Sequence, residues 1–134
     1  MARQIDLAGR SGAQYRYRAL EDMRPVPPGG ANFVYVRWDK DAPVVVYAGE
    51  TDSLHRSVFE TWEEAQGLGA TEIFARLNIT GAVRRAEQAD LVAAHAPPMN
   101  GGLAAARAAE PVPVDAEPAP ARNSAPRRRA PRRP

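Results

Sequence analysis

Tyrosine, glutamate and arginine are the residue types in this chain whose placement points to chemistry. Tyr35 and Tyr47 sit inside two runs rich in β-branched residues, Phe33-Val34-Tyr35-Val36-Arg37-Trp38 and Val44-Val45-Val46-Tyr47-Ala48. A phenol titrates near 10, so it serves as a base only where a cation or a hydrogen-bonded network favours its ionised form. Glu87 lies four residues after Val83 and four before Leu91, on the stripe those apolar residues define along a helix. A carboxylate on such a stripe must be paired, hydrogen-bonded or bound to a cation. It can equally reach the rim or pair with Arg84 or Arg85, and Asp90 lies near the same face, so helix phase alone does not select the acid. His55 and Arg56 are cation candidates in the stretch that follows the second run.

These side chains need elements to position them. The two β-branched runs flank Asp39-Lys40-Asp41-Ala42-Pro43, whose turn chemistry predicts an antiparallel hairpin. If Trp38 pairs with Val44 across a five-residue loop, Tyr35 falls opposite Tyr47 on one face. Two cross-strand tyrosines can also simply pack together. Thr51, Asp52 or Ser53 then caps a helix whose buried stripe is Leu54, Val58 and Trp62, with Gly67 and Gly69 ending that region. Ile73, Ala75 and Leu77 alternate in a third strand over 71–77. Thr80 caps a last helix running to about Ala94, which Pro97-Pro98 cannot continue.

The predicted architecture is α/β, a small three-stranded antiparallel sheet flanked by helices over residues 31–100. Residues 1–30 are expected to add an N-terminal strand or arm, from Gln14-Tyr15-Arg16-Tyr17-Arg18-Ala19, and a loop through Pro25-Val26-Pro27-Pro28-Gly29-Gly30. Residues 101–134 read as a disordered, basic Ala/Pro/Arg-rich tail, in which Ala104 to Glu110 extend a helix briefly.

Composition bounds the functions available. The chain has no cysteine, which excludes disulfides, thiol nucleophiles and cysteine zinc sites and fits a reducing cytoplasm. No apolar run approaches the ~20 residues of a membrane span, and the first residues lack the apolar stretch of a signal peptide. Residues 1–100 carry 11 Lys+Arg against 13 Asp+Glu, whereas residues 101–134 carry 7 Arg against 3 acids. The basic character therefore belongs to the tail. Arg127, Arg128, Arg129, Arg132 and Arg133 can bind phosphates through counterion release, without sequence preference. An acidic partner or anionic lipid would suit them as well, and a merely solubilising tail is the plainest reading.

The ordered set of motifs resembles the GIY-YIG nuclease superfamily over residues 31–100. Phe33-Val34-Tyr35, then Tyr47-Ala48-Gly49, then Gly49-Glu50-Thr51-Asp52-Ser53-Leu54 follow the family's two strand motifs and its polar turn into a helix. Glu87, Leu91, Pro97 or Pro98, and Asn100 follow the pattern of its later helix. The resemblance implies phosphodiester hydrolysis with one divalent metal, Mg²⁺ or Mn²⁺, held by Glu87. It gives Tyr35 or Tyr47 the general-base or water-positioning role, and makes Gly49, His55 and Asn100 supporting residues. Ser57 stands where the family carries a phosphate-neutralising arginine, with Arg56 one residue earlier, about 100° away around a helix. The expected function is a metal-dependent DNA endonuclease. The alternative is a non-cleaving nuclease-fold module that binds nucleic acid or protein, with the basic tail as its main contact.

Overall fold

Alternating polar and apolar residues build two N-terminal strands, β1 (Gln4–Ala8) and β2 (Gln14–Ala19), whose inward residues include Leu7 and Tyr17. A short 3-10 turn, Leu20–Asp22, leads on to β3 (Ala31–Asp39) and β4 (Ala42–Thr51). Two short helices follow, α1 (Leu54–Ser57) and α2 (Trp62–Gly67), then β5 (Glu72–Leu77) and the long helix α3 (Gly81–His95). A second 3-10 turn, Pro98–Asn100, joins α3 to α4 (Gly102–Ala109). The computed structural model describes residues 3–109.

All five strands form one antiparallel sheet in the order β1-β2-β5-β3-β4. This corrects the expectation of a three-stranded sheet. The N-terminal segment is no arm: β1 and β2 form a hairpin that joins the sheet through Arg18 opposite Ala75 and Ala19 opposite Phe74. Helix α3 holds that hairpin down. The Asp90 carboxylate accepts from the Ser11 N–H (2.8 Å), the Ser11 hydroxyl (2.6 Å) and the Tyr15 hydroxyl (2.7 Å), and the Arg10 N–H donates to the Asp90 carbonyl.

The sheet separates two apolar layers. One holds Phe33, Tyr35, Val46, Leu54, Val58, Ala65 and Ile73 under α1 and α2. The other holds Tyr17, Val34, Val36, Val45, Ala48, Phe74 and Leu91 under α3. The β3–β4 register differs from the predicted one. Its turn is the two-residue Lys40-Asp41, with Lys40 at φ 59°, so Trp38 pairs with Pro43 and Arg37 with Val44. A bulge at Val46 then shifts the ladder by one residue and brings Tyr35 opposite Tyr47. The bulge is also why the consecutive residues Val46 and Tyr47 both join the first layer.

The single helix expected through Leu54, Val58 and Trp62 is divided between α1 and α2. The Val58 carbonyl accepts the Tyr35 hydroxyl at 2.7 Å, and the Trp62 N–H turns to Phe59 O instead. Losing that i to i−4 bond breaks the helix between its two parts. Among the described residues no helix is long and apolar enough to cross a membrane.

Candidate functional site

Tyr35 and Tyr47 meet at ring centroids 5.3 Å apart, inside an aromatic group with Phe33 and Trp62. Tyr35 is fully buried and Tyr47 half-buried. Gly49 pairs with Phe33 across the strands, and a methyl group added at Gly49 would come within 2.5 Å of the Phe33 ring and 2.8 Å of the Tyr47 ring. The aromatic layer thus requires glycine there for close approach.

The electrostatics oppose ionisation of either phenol. Burial pushes the Tyr35 hydroxyl above its ordinary value; its hydrogen bonds from Thr61 pull the other way, and Glu60 adds to the rise. Burial also raises Tyr47, followed by the influence of Tyr35, Glu60 and Glu50. A tyrosine base would need the opposite shift. The cations that the sequence offered do not reach the pair. Arg56 and His55 are exposed on α1, with the His55 Nδ1 3.2 Å from Ser53 Oγ. Ser57 is the residue of that turn which faces the hairpin, accepting from the Thr51 hydroxyl at 3.0 Å.

Glu87 lies across the sheet from the tyrosines, on the α3 side. Its Oε2 accepts from the buried Tyr17 hydroxyl at 2.5 Å, and its Oε1 from Arg76 Nε (3.2 Å) and Asn78 Nδ2 (3.3 Å). Asn78 also donates to Asn32 Oδ1, while Asn32 donates to the Arg84 carbonyl. Arg84 pairs with Glu50 at 3.0 Å and donates to the carbonyls of Asn78 and Ile79. This seam satisfies every charged side chain that α3 buries, as a low-dielectric interior demands. A cavity of about 510 Å³ opens beside Glu87, lined also by Tyr15, Arg76 and Asp90.

A divalent metal at Glu87 does not fit this donor set. Both carboxylate oxygens already accept protein donors, and one donor is a guanidinium whose charge a cation would have to displace. Among the described residues no three His, Cys, Asp or Glu side chains converge into a metal-holding group.

Sequence reasoning passed over Gln88. Its Nε2 donates to Ala48 O at 3.0 Å, so it is the α3 side chain that reaches the strand beside Tyr47. Asn100 completes the contact, accepting from Ala48 N–H at 2.7 Å and donating to Ala48 O at 3.0 Å. Together they act as a one-residue strand partner that seals β4, the edge of the sheet. The signal available was position: Gln88 follows Glu87 by about 100° on the helix, turned toward β4. Arg127, Arg128, Arg129, Arg132 and Arg133 lie outside the described residues. No family model, no curated protein and no solved structure matches this chain.

Proposed function

We propose that this chain is a nuclease-like binding module that does not cleave, and that holds nucleic acid mainly through its arginine-rich C-terminal segment. The observation that carries the reading is the position of Glu87. It sits across the sheet from Tyr35 and Tyr47, with both oxygens engaged by Tyr17, Arg76 and Asn78. A hydrolytic site needs a base, a charge stabiliser and a metal ligand around one phosphate. Here the phenols are held away from ionisation, Arg56 faces solvent, and Gln88 offers a neutral amide where α3 meets the hairpin. Glu50 and Glu60 set negative charge beside the tyrosines, which disfavours a phosphate there.

Attraction to a polyanion is supported by the last fourteen residues, which hold six arginines and no acid. A cytoplasmic setting is supported by the absence of cysteine. The test combines two readouts on full-length protein with linear, nicked and branched DNA. A gel-shift salt titration is expected to show binding that weakens steeply with salt, and more weakly salt-dependent binding when the five terminal arginines from Arg127 to Arg133 become glutamine. A parallel incubation with Mg²⁺ or Mn²⁺ is expected to leave all three substrates intact. Metal-dependent cleavage lost in Tyr47→Phe or Glu87→Gln would replace this reading with an endonuclease.

A further inference from the structure

The two-pair ladder between β2 and β5 leaves a fork in the sheet. Beyond Arg18–Ala75 and Ala19–Phe74 the strands part, while β2 stays paired with β1 and β5 with β3. At that fork a cavity of about 240 Å³ is lined by Gln4, Arg16, Arg18 and Arg76 over Met23 and Leu77. Its lining includes three arginines, of which Arg16 and Arg18 share one face of β2 while the Arg76 guanidinium turns to Glu87 on the α3 side, in a domain whose overall balance is slightly acidic. Asp6 lies opposite Arg16 on β1, and the other acids of the domain include Asp39 and Asp41 at the hairpin turn and Glu60, Glu63 and Glu64 around α2.

The partners of those arginines leave donors available. Arg16 is held by the exposed Asp6 through Nε (2.9 Å) and Nη2 (3.1 Å), a solvated pair that leaves its other terminal nitrogen without a hydrogen bond among the described residues. Among the described residues Arg18 makes a single hydrogen bond, a 3.5 Å contact to the Asp22 carbonyl. Arg76 spends its Nε on Glu87 and lays its guanidinium over the Tyr15 ring, 5.8 Å from the centroid, without a hydrogen bond from its terminal nitrogens among the described residues. Leu77, also in the lining, is 54% exposed beside Arg16 and Arg18.

We infer that this fork is a second nucleic-acid contact, carried by the folded domain, that takes the backbone of a single strand. Arg16 and Arg18 alternate on β2 and stand roughly 6.8 Å apart, a spacing suited to successive phosphates of an extended chain. Leu77 supplies an exposed apolar surface for the sugar or base between them. Guanidinium forks match phosphate oxygens in pairs. The small volume of the cavity, about 240 Å³, favours a single strand over a duplex, whose phosphates lie on a broad convex surface.

The inference rests on the nucleic-acid reading above, and its test separates the two. Fluorescence anisotropy of a labelled oligodeoxythymidylate is measured against salt for full-length wild type, Arg16→Gln/Arg18→Gln, Arg16→Lys/Arg18→Lys, and the chain with its five terminal arginines changed to glutamine. The glutamine pair is expected to flatten the log–log salt slope by about 1.4, from ~0.7 per phosphate on single strands, and to weaken low-salt binding about tenfold. The lysine pair keeps the slope, and the effect adds to that of the tail variant. Thermal unfolding of all four chains checks that the exposed substitutions leave the fold intact. An unchanged slope in the glutamine pair, with the tail variant still impaired, overturns the fork alone. No binding by wild type overturns both readings. Equal flattening when the probe is polyglutamate overturns the phosphate assignment.

Discussion

Replacing Glu87 with alanine separates a structural carboxylate from a catalytic one. The change leaves the Tyr17 hydroxyl, which is fully buried, without an acceptor. An unsatisfied buried donor costs about 1–3 kcal/mol, towards the upper end when its lost partner was charged. The Arg76 side chain is 40% exposed, so water recovers most of its lost partner and its share stays below about 1 kcal/mol. Asn78 keeps Asn32 as an acceptor and adds little. The lost methylene packing brings about 0.8 kcal/mol more. The sum is about 3 kcal/mol, which for a domain of this size lowers Tm by roughly 12 °C. Differential scanning calorimetry of metal-free protein, with urea unfolding beside it, reads both numbers. Glu87→Gln keeps one oxygen acceptor and falls between wild type and alanine. A metal ligand behaves in the opposite way, because freeing an apo site of an unpaired carboxylate is neutral or stabilising. A loss under about 1 kcal/mol on Glu87→Ala would therefore refute the structural role.

Asn100→Ala exposes the Ala48 N–H at the sheet edge, and about 1–2 kcal/mol is lost in urea unfolding; size-exclusion chromatography reports any edge-to-edge association that follows. All four tyrosines have ionisation pushed upward, Tyr15 to about 12 through burial and then Asp90. Because these folded values exceed the unfolded one, their contribution to stability is complete below about pH 10 and is lost as pH rises through the folded values. Absorbance titration should accordingly show no tyrosinate near neutral pH, and a phenol ionising there would revive the base role. At the acid end, burial raises the Asp90 carboxyl, but hydrogen bonds from Ser11, Tyr15 and the Ser11 and Arg10 N–H groups together hold it below its usual value. Its contribution is present above the unfolded value of 3.8 and lost as pH falls through the lower folded value, so Asp90→Asn should flatten the acid limb of the stability profile.

What could be read from residues alone was the local periodicity. Strand alternation in Phe33–Trp38 and the stripe through Leu91 placed β3 and α3 within a residue or two of their bounds. The tyrosine pair survived two departures that cancel: a two-residue turn in place of five, and a bulge at Val46 that restores the register. Neither is visible in composition, since Lys40 is an uncommon residue for a left-handed turn position. Strand β1 was missed because its exposed face, Gln4, Asp6 and Ala8, leaves only Ile5 and Leu7 as an inward apolar signal. Its place in the sheet comes from its ladder with β2, and its end at Ala8 meets the His95 ring, a contact that no local window contains. The split between α1 and α2 follows from Tyr35 taking the Val58 carbonyl, again a tertiary event. The candidate site failed to assemble for a topological reason. Matching motif order cannot say which face of a sheet a helix covers, and α3 covers the face opposite the tyrosines.

The central claim is that Glu87 anchors Tyr17, Arg76 and Asn78 and holds no metal. Manganese binding measured by the electron paramagnetic resonance of free Mn²⁺ tests it most directly, on full-length protein without nucleic acid. The expected titration follows the buffer blank for wild type and for Glu87→Gln alike. Stoichiometric loss of the free-ion signal in wild type, restored by Glu87→Gln, would contradict it and return Glu87 to a catalytic metal site.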